Sequence, residues 1–285
     1  MFEILSKKTL ADGIRRIVVN APYAARKARA GQFVVIMLSE YGERIPLTIV
    51  ETDGDSLTLI FQEAGKTTME LGALKTGDKL ADVLGPLGQP TVIEDFGRVI
   101  TVGGGVGVAE VYPVSKALKA AGNRVVSVIG ARSKNLLILE KEMRAVTDNL
   151  YVATDDGSYG IKGNVGDILK DLIVNIRPDL VYAIGPVPMM RAVSDITKVH
   201  DVKTLVSLNP IMVDGTGMCG ACRINVGGQT RFSCVDGPEF DAHEVDWDEL
   251  SMRLRLFKIE EARSIDHYCR LKALKTSREK NVSIE

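Results

Sequence analysis

The sequence predicts a β-barrel followed by an α/β domain with a doubly wound parallel sheet, then a small cysteine-bearing loop domain and a helical tail. Three observations lead to this prediction. Residues 1–97 contain short β-branched segments separated by turn residues, residues 98–204 alternate between strand and helix patterns, and three of the four cysteines lie within residues 205–246. A chain of 285 residues is long enough for several such units.

The barrel is predicted over residues 1–97. Its strand-like segments are RRIVVNA, QFVVIML, IPLTIVETD and SLTLIFQEA, and turn residues such as Asp53-Gly54-Asp55 lie between them. Strands at this spacing are typical of a small barrel. The GPLGQP segment at 85–90 concentrates glycine and proline, so we expect a linker there and a domain boundary near residue 97.

The α/β domain is predicted over residues 98–204. Strands RVITVGG, RVVSVIG, LYVAT and LVYAIG alternate with helices YPVSKALKAAG, LLILEKEMRAV, VGDILKDLIVNI and PMMRAVSDITK. Such alternation predicts right-handed βαβ units and a parallel sheet covered by helices on both faces.

A glycine-rich run, TVGGGVGVAEVYP at 101–113, follows the first strand of this domain. Glycines at a strand-to-helix turn let the backbone approach a pyrophosphate, whose charge is favoured at a helix N-terminus. The spacing does not satisfy a strict G-x-G-x-x-G, so a turn needed only for packing is the alternative. The candidate dinucleotide-binding residues in this run are Gly103, Gly104, Gly105, Val106 and Gly107.

Further loops at the ends of later strands are expected to line the same crevice. The second strand ends in GARS, which places Arg132 where an enzyme that prefers NAD usually has a carboxylate for the ribose. A guanidinium there accommodates a 2′-phosphate, which leaves the choice between NADH and NADPH open. The remaining candidates come from the loops TDDGS and GPVPMM: Asp155, Asp156, Gly157, Gly185, Pro186 and Met189.

The cysteine loop, predicted over residues 205–246, has the pattern D-x4-C-x2-C-x11-C, formed by Asp214, Cys219, Cys222 and Cys234. The plant-type [2Fe–2S] pattern is C-x4-C-x2-C with a distant fourth cysteine, so Asp214 takes the place of the first thiolate. The alternatives are a tetrahedral zinc site, a redox-active C-x-x-C pair and inert thiols. Cys269, on the predicted tail helix, is expected to be a packing residue rather than a ligand.

The charged tail, residues 247–285, is predicted to be helical over roughly 247–275. Its apolar residues Trp247, Leu250, Leu254 and Phe257 either dock a partner subunit or pack on the chain's own domains.

Composition and charge narrow the classes of function. The formal net charge of −1, from 36 basic and 37 acidic residues, gives no broad electrostatic footprint for nucleic acid or for an anionic membrane. No window is apolar enough to span a bilayer, and the start MFEILSKKTLADGIRR is too charged for a secretory signal. We therefore expect a cytoplasmic protein that binds neither nucleic acid nor a membrane.

These segments, in this order, resemble the flavin- and iron–sulfur-containing electron-transfer proteins of the ferredoxin reductase superfamily. The resemblance implies a ferredoxin-reductase-like FAD barrel, an NAD domain and an iron–sulfur loop domain. The superfamily's R-x-[YPF]-[ST]-like motif corresponds to RIPLTI here. In the superfamily, the arginine pairs with the flavin pyrophosphate and the hydroxyl residue approaches the ring. Taken alone, a segment such as RIPLT is more often just a barrel strand. The implied FAD-binding residues are Arg44, Pro46, Leu47 and Thr48, with Gly65, Thr67 and Thr68 from a phosphate-binding helix turn in EAGKTTMEL.

Two branches of this superfamily share the terminal cysteine loop. The NPIMVDGTGMCGACR segment, with aspartate at the first ligand position, is similar to the small subunit of NADH-dependent reduced ferredoxin:NADP oxidoreductases, whereas the electron-transfer subunits of dihydroorotate dehydrogenase have cysteine at all four ligand positions. The first branch implies FAD, NAD(H) and a [2Fe–2S] cluster, and a larger flavin and iron–sulfur subunit that exchanges electrons with ferredoxin and NADP(H), with electron bifurcation as one route.

No side chain needs to act as general acid or base, because the cofactors carry the chemistry. Two alternatives stay open. One is an electron-transfer subunit that serves dihydroorotate oxidation, and the other is a non-catalytic protein whose C-terminal loop is held by zinc.

Overall fold

The structure, a computed structural model, describes the backbone of residues 1–282 and the side chains up to residue 274. The first sheet is antiparallel, with strand order β6-β1-β2-β5-β4-β3-β7. Its elements are β1 (Phe2–Ala11), β2 (Ile14–Asn20), α1 (Pro22–Lys27), β3 (Phe33–Met37), β4 (Arg44–Asp53), β5 (Ser56–Gln62), α2 (Lys66–Ala73), β6 (Lys79–Leu80) and β7 (Asp82–Leu87).

Alternating side chains of these strands fill the interior of the barrel. On β2, Ile17 and Val19 are fully buried, and on β5 the same holds for Leu57 and Leu59. Because successive side chains of a strand point to opposite faces, this two-residue period places one face of each strand in the core. The predicted barrel is confirmed.

The predicted linker at 85–90 is wrong over its first half. Gly85 to Leu87 form the end of β7 and pair with β3, with a register shift between Phe33 and Val35. A glycine and a proline are tolerated here because β7 is an edge strand and the pairing is irregular at this point.

The second half of the chain forms a sheet of order β11-β10-β9-β8-β12-β13-β16, parallel except at its last strand. The elements are β8 (Arg98–Gly104), α3 (Gly107–Ala120), β9 (Arg124–Ala131), α4 (Glu140–Val146), β10 (Asn149–Thr154), β11 (Ile161–Lys162), α5 (Val165–Ile176), β12 (Leu180–Ile184), α6 (Val187–Val199), β13 (Thr204–Ser207), β14 (Arg223–Val226), β15 (Gln229–Phe232), β16 (Glu239–Asp241), α7 (Trp247–Arg253) and α8 (Lys258–Val282).

Both faces of this sheet are covered, as predicted. On one face, Val99 of β8 packs with Val111 and Val114 of α3, and barrel residues join the same cluster. On the other face, Ile100 and Val102 pack with α5 and α6. From β8 the chain first adds β9, β10 and β11 on one side of this strand, and then adds β12 and β13 on its other side. The direction in which strands are added therefore reverses between β8 and β12. Ligands of open α/β sheets bind in the crevice at such a switch point.

Two helix predictions are corrected. The predicted LLILEKEMRAV helix begins only at Glu140, because Lys134–Leu136 form a 3₁₀ turn and Leu139 has a left-handed φ of 54°. The predicted tail helix is divided into α7, which the Asp246 carboxylate caps at its N-terminus, and α8. Among the described residues, no helix is long and apolar enough to cross a membrane.

The two halves of the tail differ in how they pack. Trp247 and Leu250 of α7 are buried in the core of the α/β domain, and Leu254 packs against that core, so for these side chains the packing alternative is correct. Phe257 is 52% exposed. Cys269 is exposed on α8, so the expectation that it packs is wrong.

Candidate functional site

The glycine loop lies at the switch point of the parallel sheet. Gly105 has a φ of 59°, and a Cβ added there would meet no atom within 4 Å, so this part of the backbone faces open space. Gly107 is needed for a different reason, since a Cβ there would lie 2.5 Å from the carbonyl oxygen of Ile184 on β12. Gly104 is equally confined, by the sulfur of Met189. The loop therefore combines an accessible backbone with close packing of α3 on the sheet.

A cavity of about 370 Å³ opens at this point. It brings together residues from the three loops that the sequence singled out. Gly103, Gly107 and Gly185 shape these loops without lining the cavity, and Asp156 and Gly157 lie outside it. The predicted residues that line it are Gly104, Gly105, Val106, Arg132, Asp155, Pro186 and Met189.

At one end of this cavity, Arg132 and Asp155 stand at the ends of β9 and β10, and both are exposed. The backbone N–H of Asp156 donates to the carbonyl oxygen of Arg132 at 3.1 Å, which ties the two loops together. Hydrogen bonds from Ser158 lower the pKa of Asp156, so its carboxylate serves the turn rather than the cavity. The guanidinium of Arg132 is thus available to a ligand.

A second cavity, of about 260 Å³, lies between the barrel and the α/β domain. Of the predicted FAD-binding residues, it is lined by Pro46, Leu47 and Thr48 of β4 and by Thr68 of α2. We call it the flavin cavity, and the cavity at the glycine loop the nicotinamide cavity. Arg44, Gly65 and Thr67 do not line the flavin cavity.

These three residues nevertheless lie close to one another. Thr67 hydrogen-bonds the carboxylate of Glu43, the residue before Arg44, so the start of β4 meets the start of α2. Arg44 lies 3.7 Å from Asp82 in a half-exposed ion pair. The Thr68 hydroxyl accepts from the N–H of Gly65 at 2.9 Å, which fixes the first turn of α2.

The two cavities share the side chains of Gln62 and Val106 in their walls. The sequence did not single out Gln62, nor several other residues of the flavin cavity. Only the NPIM segment before the cysteine loop carried a signal, because it precedes the candidate ligands. The lining residues that were missed are Phe33, Ile60, Phe61, Gln62, Ala64, Glu110, Ser207, Leu208, Asn209, Met212 and Pro238.

The cysteine loop brings its four candidate ligands together in two pairs. Cys222 and Cys234 are buried, and their sulfur atoms are 3.2 Å apart. Asp214 accepts the backbone N–H of Cys219 at 2.8 Å, and the side chain of Cys219 is exposed. Among the side chains that the structure describes, up to residue 274, no three such groups already form a complete metal-binding site.

The chemistry of this loop fits an iron–sulfur cluster. Backbone N–H groups point at sulfur, from Ala221 to Cys219 and from Cys234 to Cys222, both at 3.5 Å. The hydroxyl of Ser233, beside Cys234, is fully buried and has no hydrogen-bond partner in the described part of the chain. Such donors are the groups that stabilise and tune a cluster.

The charge states of the candidate ligands differ. Hydrogen bonds to Asp214, mainly from the N–H of Thr216, lower the pKa of its carboxyl, so it is a carboxylate at neutral pH. Burial, and secondly the hydrogen bond with Cys222, raises the pKa of the Cys234 thiol to about 12. A bound cation reverses this preference, because a coordinating thiol is deprotonated.

The loop packs directly on the barrel. Cys222, Cys234 and Met212 form one apolar cluster with Phe33 and Val35 of β3. Gly215, at a φ of 76°, permits this approach, since a Cβ there would lie 2.8 Å from side-chain carbons of Leu87 and Val35. Phe33 and Met212 also line the flavin cavity, so the same two residues belong both to its wall and to the cluster that holds the buried thiols.

Comparisons with known proteins agree with this geometry. A family model described as the iron–sulfur cluster binding domain of dihydroorotate dehydrogenase B matches residues 209–246. The electron transfer subunit homolog of dihydroorotate dehydrogenase B (NAD(+)) from Thermotoga maritima is 48% identical over 268 residues, covering 93% of this chain and 95% of the relative. The corresponding electron transfer subunit from Geobacillus thermodenitrificans is 35% identical over 253 residues, covering 85% and 96%.

Two solved structures are similar over most of the fold. A chain of the NADH-dependent reduced ferredoxin-NADP oxidoreductase, described in connection with flavin-based electron bifurcation, is 47% identical with a TM-score of 0.89, over 94% of this chain and 98% of that one. The flavohem-like FAD/NAD binding domain of nitric oxide dioxygenase from Vibrio cholerae is 18% identical with a TM-score of 0.63, over 72% and 97%. The second likeness concerns the fold alone, a ferredoxin-reductase-like barrel followed by a parallel-sheet domain.

Proposed function

Because this chain belongs to the family of dihydroorotate dehydrogenase B electron transfer subunits and their homologues, we propose that it moves electrons between NAD(H) and a larger partner subunit that handles ferredoxin and NADP(H). The chain is an oxidoreductase subunit of the electron-transfer type, with FAD, NAD(H) and a [2Fe–2S] cluster as cofactors. Electron bifurcation is the route we favour, since the relative of known structure at 47% identity is described in that connection.

One observation carries this proposal: the flavin cavity adjoins both other sites, because it shares residues with each of them. The nicotinamide and flavin cavities share Gln62 and Val106, and the flavin cavity shares Phe33 and Met212 with the cluster that holds Cys222 and Cys234. When bound, FAD accepts a hydride from NADH and passes electrons on singly, chemistry that no side chain of the chain supplies.

The side chains position these groups. We propose that the glycine loop holds the dinucleotide with Arg132 beside its ribose, that β4 and the first turn of α2 hold FAD, and that Asp214, Cys219, Cys222 and Cys234 hold the iron. The apolar wall of Phe33, Val35 and Met212 keeps water away from the buried thiols. The domain ranges 1–97, 98–204, 205–246 and 247–285 are proposed as the corresponding units, although β16 of the third joins the sheet of the second.

The relatives are named as electron transfer subunits, and we propose that this chain is likewise the smaller member of a pair with a larger subunit. We propose that α8 docks that partner. It carries exposed apolar side chains, including Ile259, Leu271 and Leu274, and within the described residues none of its side chains belongs to a hydrophobic core. Deleting residues 258–285 should abolish co-purification with the larger subunit while FAD and iron stay bound. Intact complex formation would contradict the docking role.

The test of the function is an anaerobic preparation of the chain with its larger subunit. We expect flavin absorption bands, about two irons and two acid-labile sulfides in this chain, and NADH-dependent bleaching of the flavin. Reduction of NADP⁺ by reduced ferredoxin that depends on NADH identifies the proposed reaction. A colourless chain, or one that holds zinc, would refute it.

Dihydroorotate oxidation is the second candidate, and the family model and the names of the relatives favour it. The two candidates require different partners. If NAD⁺ is reduced by dihydroorotate when the chain is combined with its natural large subunit, and ferredoxin has no effect, the second candidate is correct.

A further inference from the structure

Glu110 is an ionisable side chain that neither the predicted cofactor sites nor the proposed function uses. It lies in the first turn of α3, one helical turn after Val106, which both cavities share, and it lines the flavin cavity. Every other described side chain that lines this cavity is apolar or neutral. The single carboxyl group in the wall therefore faces the space in which the flavin is proposed to bind.

The surroundings of Glu110 offer it no countercharge. Its carboxyl makes no hydrogen bond and no ion pair with the side chains described up to residue 274 or with the backbone of residues 1–282. Tyr182 of β12 is the neighbouring ionisable group in electrostatic range: burial, then Glu239, then Glu110 raise the pKa of its hydroxyl. The other ionisable groups on α3 and on the elements packed against it are Arg44, Glu51, Asp53, Arg98, Tyr112, Lys116, Lys119, Arg124, Glu140, Lys141, Glu142 and Arg144.

The charged groups among them are exposed to solvent or form ion pairs with residues other than Glu110. Lys116 pairs with Glu51 at 3.4 Å, Arg98 with Asp179 at 3.3 Å, and Arg144 with Glu140 at 2.7 Å. Without a nearby cation, burial alone raises the pKa of Glu110 to about 7. The group thus stands between its two protonation states at neutral pH, where a change in nearby charge moves it from one to the other.

Reduction of the flavin is such a change. Transfer of a hydride breaks a C–H bond of NADH and brings two electrons and one proton into the flavin cavity, which leaves one added negative charge. In a cavity of low polarity an added charge of the same sign as a carboxylate strongly favours protonation of that carboxylate.

We propose that Glu110 takes up a proton from water when the bound flavin is reduced, and releases it to water when the electrons leave for the iron–sulfur centre. An O–H bond forms on the carboxylate in the first event and breaks in the second, so the cavity gains no net charge in the reduced state. This inference deepens the proposed function and rests on it.

The test is the pH dependence of the flavin midpoint potential in the FAD-loaded full chain, measured by spectroelectrochemistry between pH 6 and 9. Above about pH 7 we expect the wild type to take up one proton more per two electrons than Glu110→Gln. Its midpoint potential should therefore fall with pH more steeply than that of the variant, by about 30 mV per pH unit for a two-electron couple. Near pH 6 the two slopes should coincide, because Glu110 is then protonated in both redox states.

Two matched variants locate the proton. Glu110→Asp keeps a carboxyl group and should retain the additional proton, and so should Glu239→Gln, which removes the other partly buried carboxyl near Tyr182. Equal slopes in wild type and Glu110→Gln, or a loss in Glu239→Gln alone, would overturn the inference while leaving the proposed function intact. A chain that binds no FAD would overturn both.

A second test uses only the wild type and so does not depend on whether any variant folds. It is an infrared difference spectrum between the oxidised and reduced protein at pH 8. A protonated carboxyl band that appears on reduction and shifts in D₂O supports the inference, and its absence contradicts it.

Discussion

Replacing Glu110 by glutamine should stabilise the protein, and by an amount that depends on pH. Burial raises the pKa of this carboxyl from 4.5 to about 7. The folded chain therefore holds the proton more tightly than the unfolded chain, and ionisation opposes folding. Below about pH 4.5 both states are protonated and there is no penalty. The penalty grows between about pH 4.5 and pH 7, and it is complete above pH 7.

The size of the effect follows from the shift. At about 1.36 kcal/mol per pKa unit, the raised pKa lowers the free energy of unfolding by at most about 3 kcal/mol above pH 7. The carboxyl keeps part of its surface open to the cavity, so we expect about 1–2 kcal/mol in practice. For a domain of this size, that raises Tm by roughly 2–8 °C.

The assay is the thermal midpoint of the FAD-loaded chain between pH 4.5 and 8.5, compared with Glu110→Gln. The matched control is Glu142→Gln, which removes an exposed carboxyl from α4. We expect the two variants to agree with the wild type near pH 4.5, and only Glu110→Gln to gain stability as the pH rises. A difference in Tm that does not change with pH would refute the assignment of a raised pKa to Glu110.

Four further predictions concern the other sites. Arg132→Ala should weaken NADPH binding about tenfold through the lost charged hydrogen bond and NADH binding little, as measured by anaerobic titration of flavin reduction; an equal loss for both would show that Arg132 does not contact a 2′-phosphate. Cys234→Ser should remove the iron but not the FAD, whereas Cys269→Ser should remove neither, and iron analysis that finds both variants alike would contradict the ligand assignment. Asp214→Cys should preserve a [2Fe–2S] centre and lower its potential, measured by potentiometric EPR; an unchanged spectrum and potential would argue against ligation by Asp214. Tyr182→Phe deprives the partly buried Glu239 carboxyl of a donor and should cost about 1–3 kcal/mol, seen as a lower Tm, which Tyr23→Phe at an exposed site should not reproduce.

Local patterns carried much of the fold. The helix VGDILKDLIVNI is α5 from Val165 to Ile176, because Asn164 caps it and its apolar residues recur on one face. The loops at 103–107 and 185–189 meet because the carboxyl ends of parallel strands lie at one edge of a sheet. For these elements the local pattern of each strand or helix, together with the general geometry of a parallel sheet, is enough to predict the outcome.

The residues that were missed depend on contacts between distant parts of the chain. Glu110, in the first turn of α3, looks in the sequence like an acidic residue placed to suit a helix dipole. Its partial burial depends on the barrel, whose residues Ile60 and Phe61 line the same cavity. Cys222 packs with Phe33 and Val35, although these residues lie before and after the α/β domain in the sequence. No periodicity or spacing reports such a contact.

The segment after the barrel shows how the three sites keep their relative positions. Its backbone N–H at Gln89 donates to the carbonyl oxygen of Gly237 at 2.6 Å, and the side-chain amide donates to Val235 at 2.8 Å. Two residues later, Thr91 shares Glu239 with Tyr182 of the parallel sheet. A flexible linker would let the flavin cavity move away from the cysteine loop. These bonds instead hold barrel, sheet and loop together, and electron transfer between neighbouring cofactors requires that fixed arrangement.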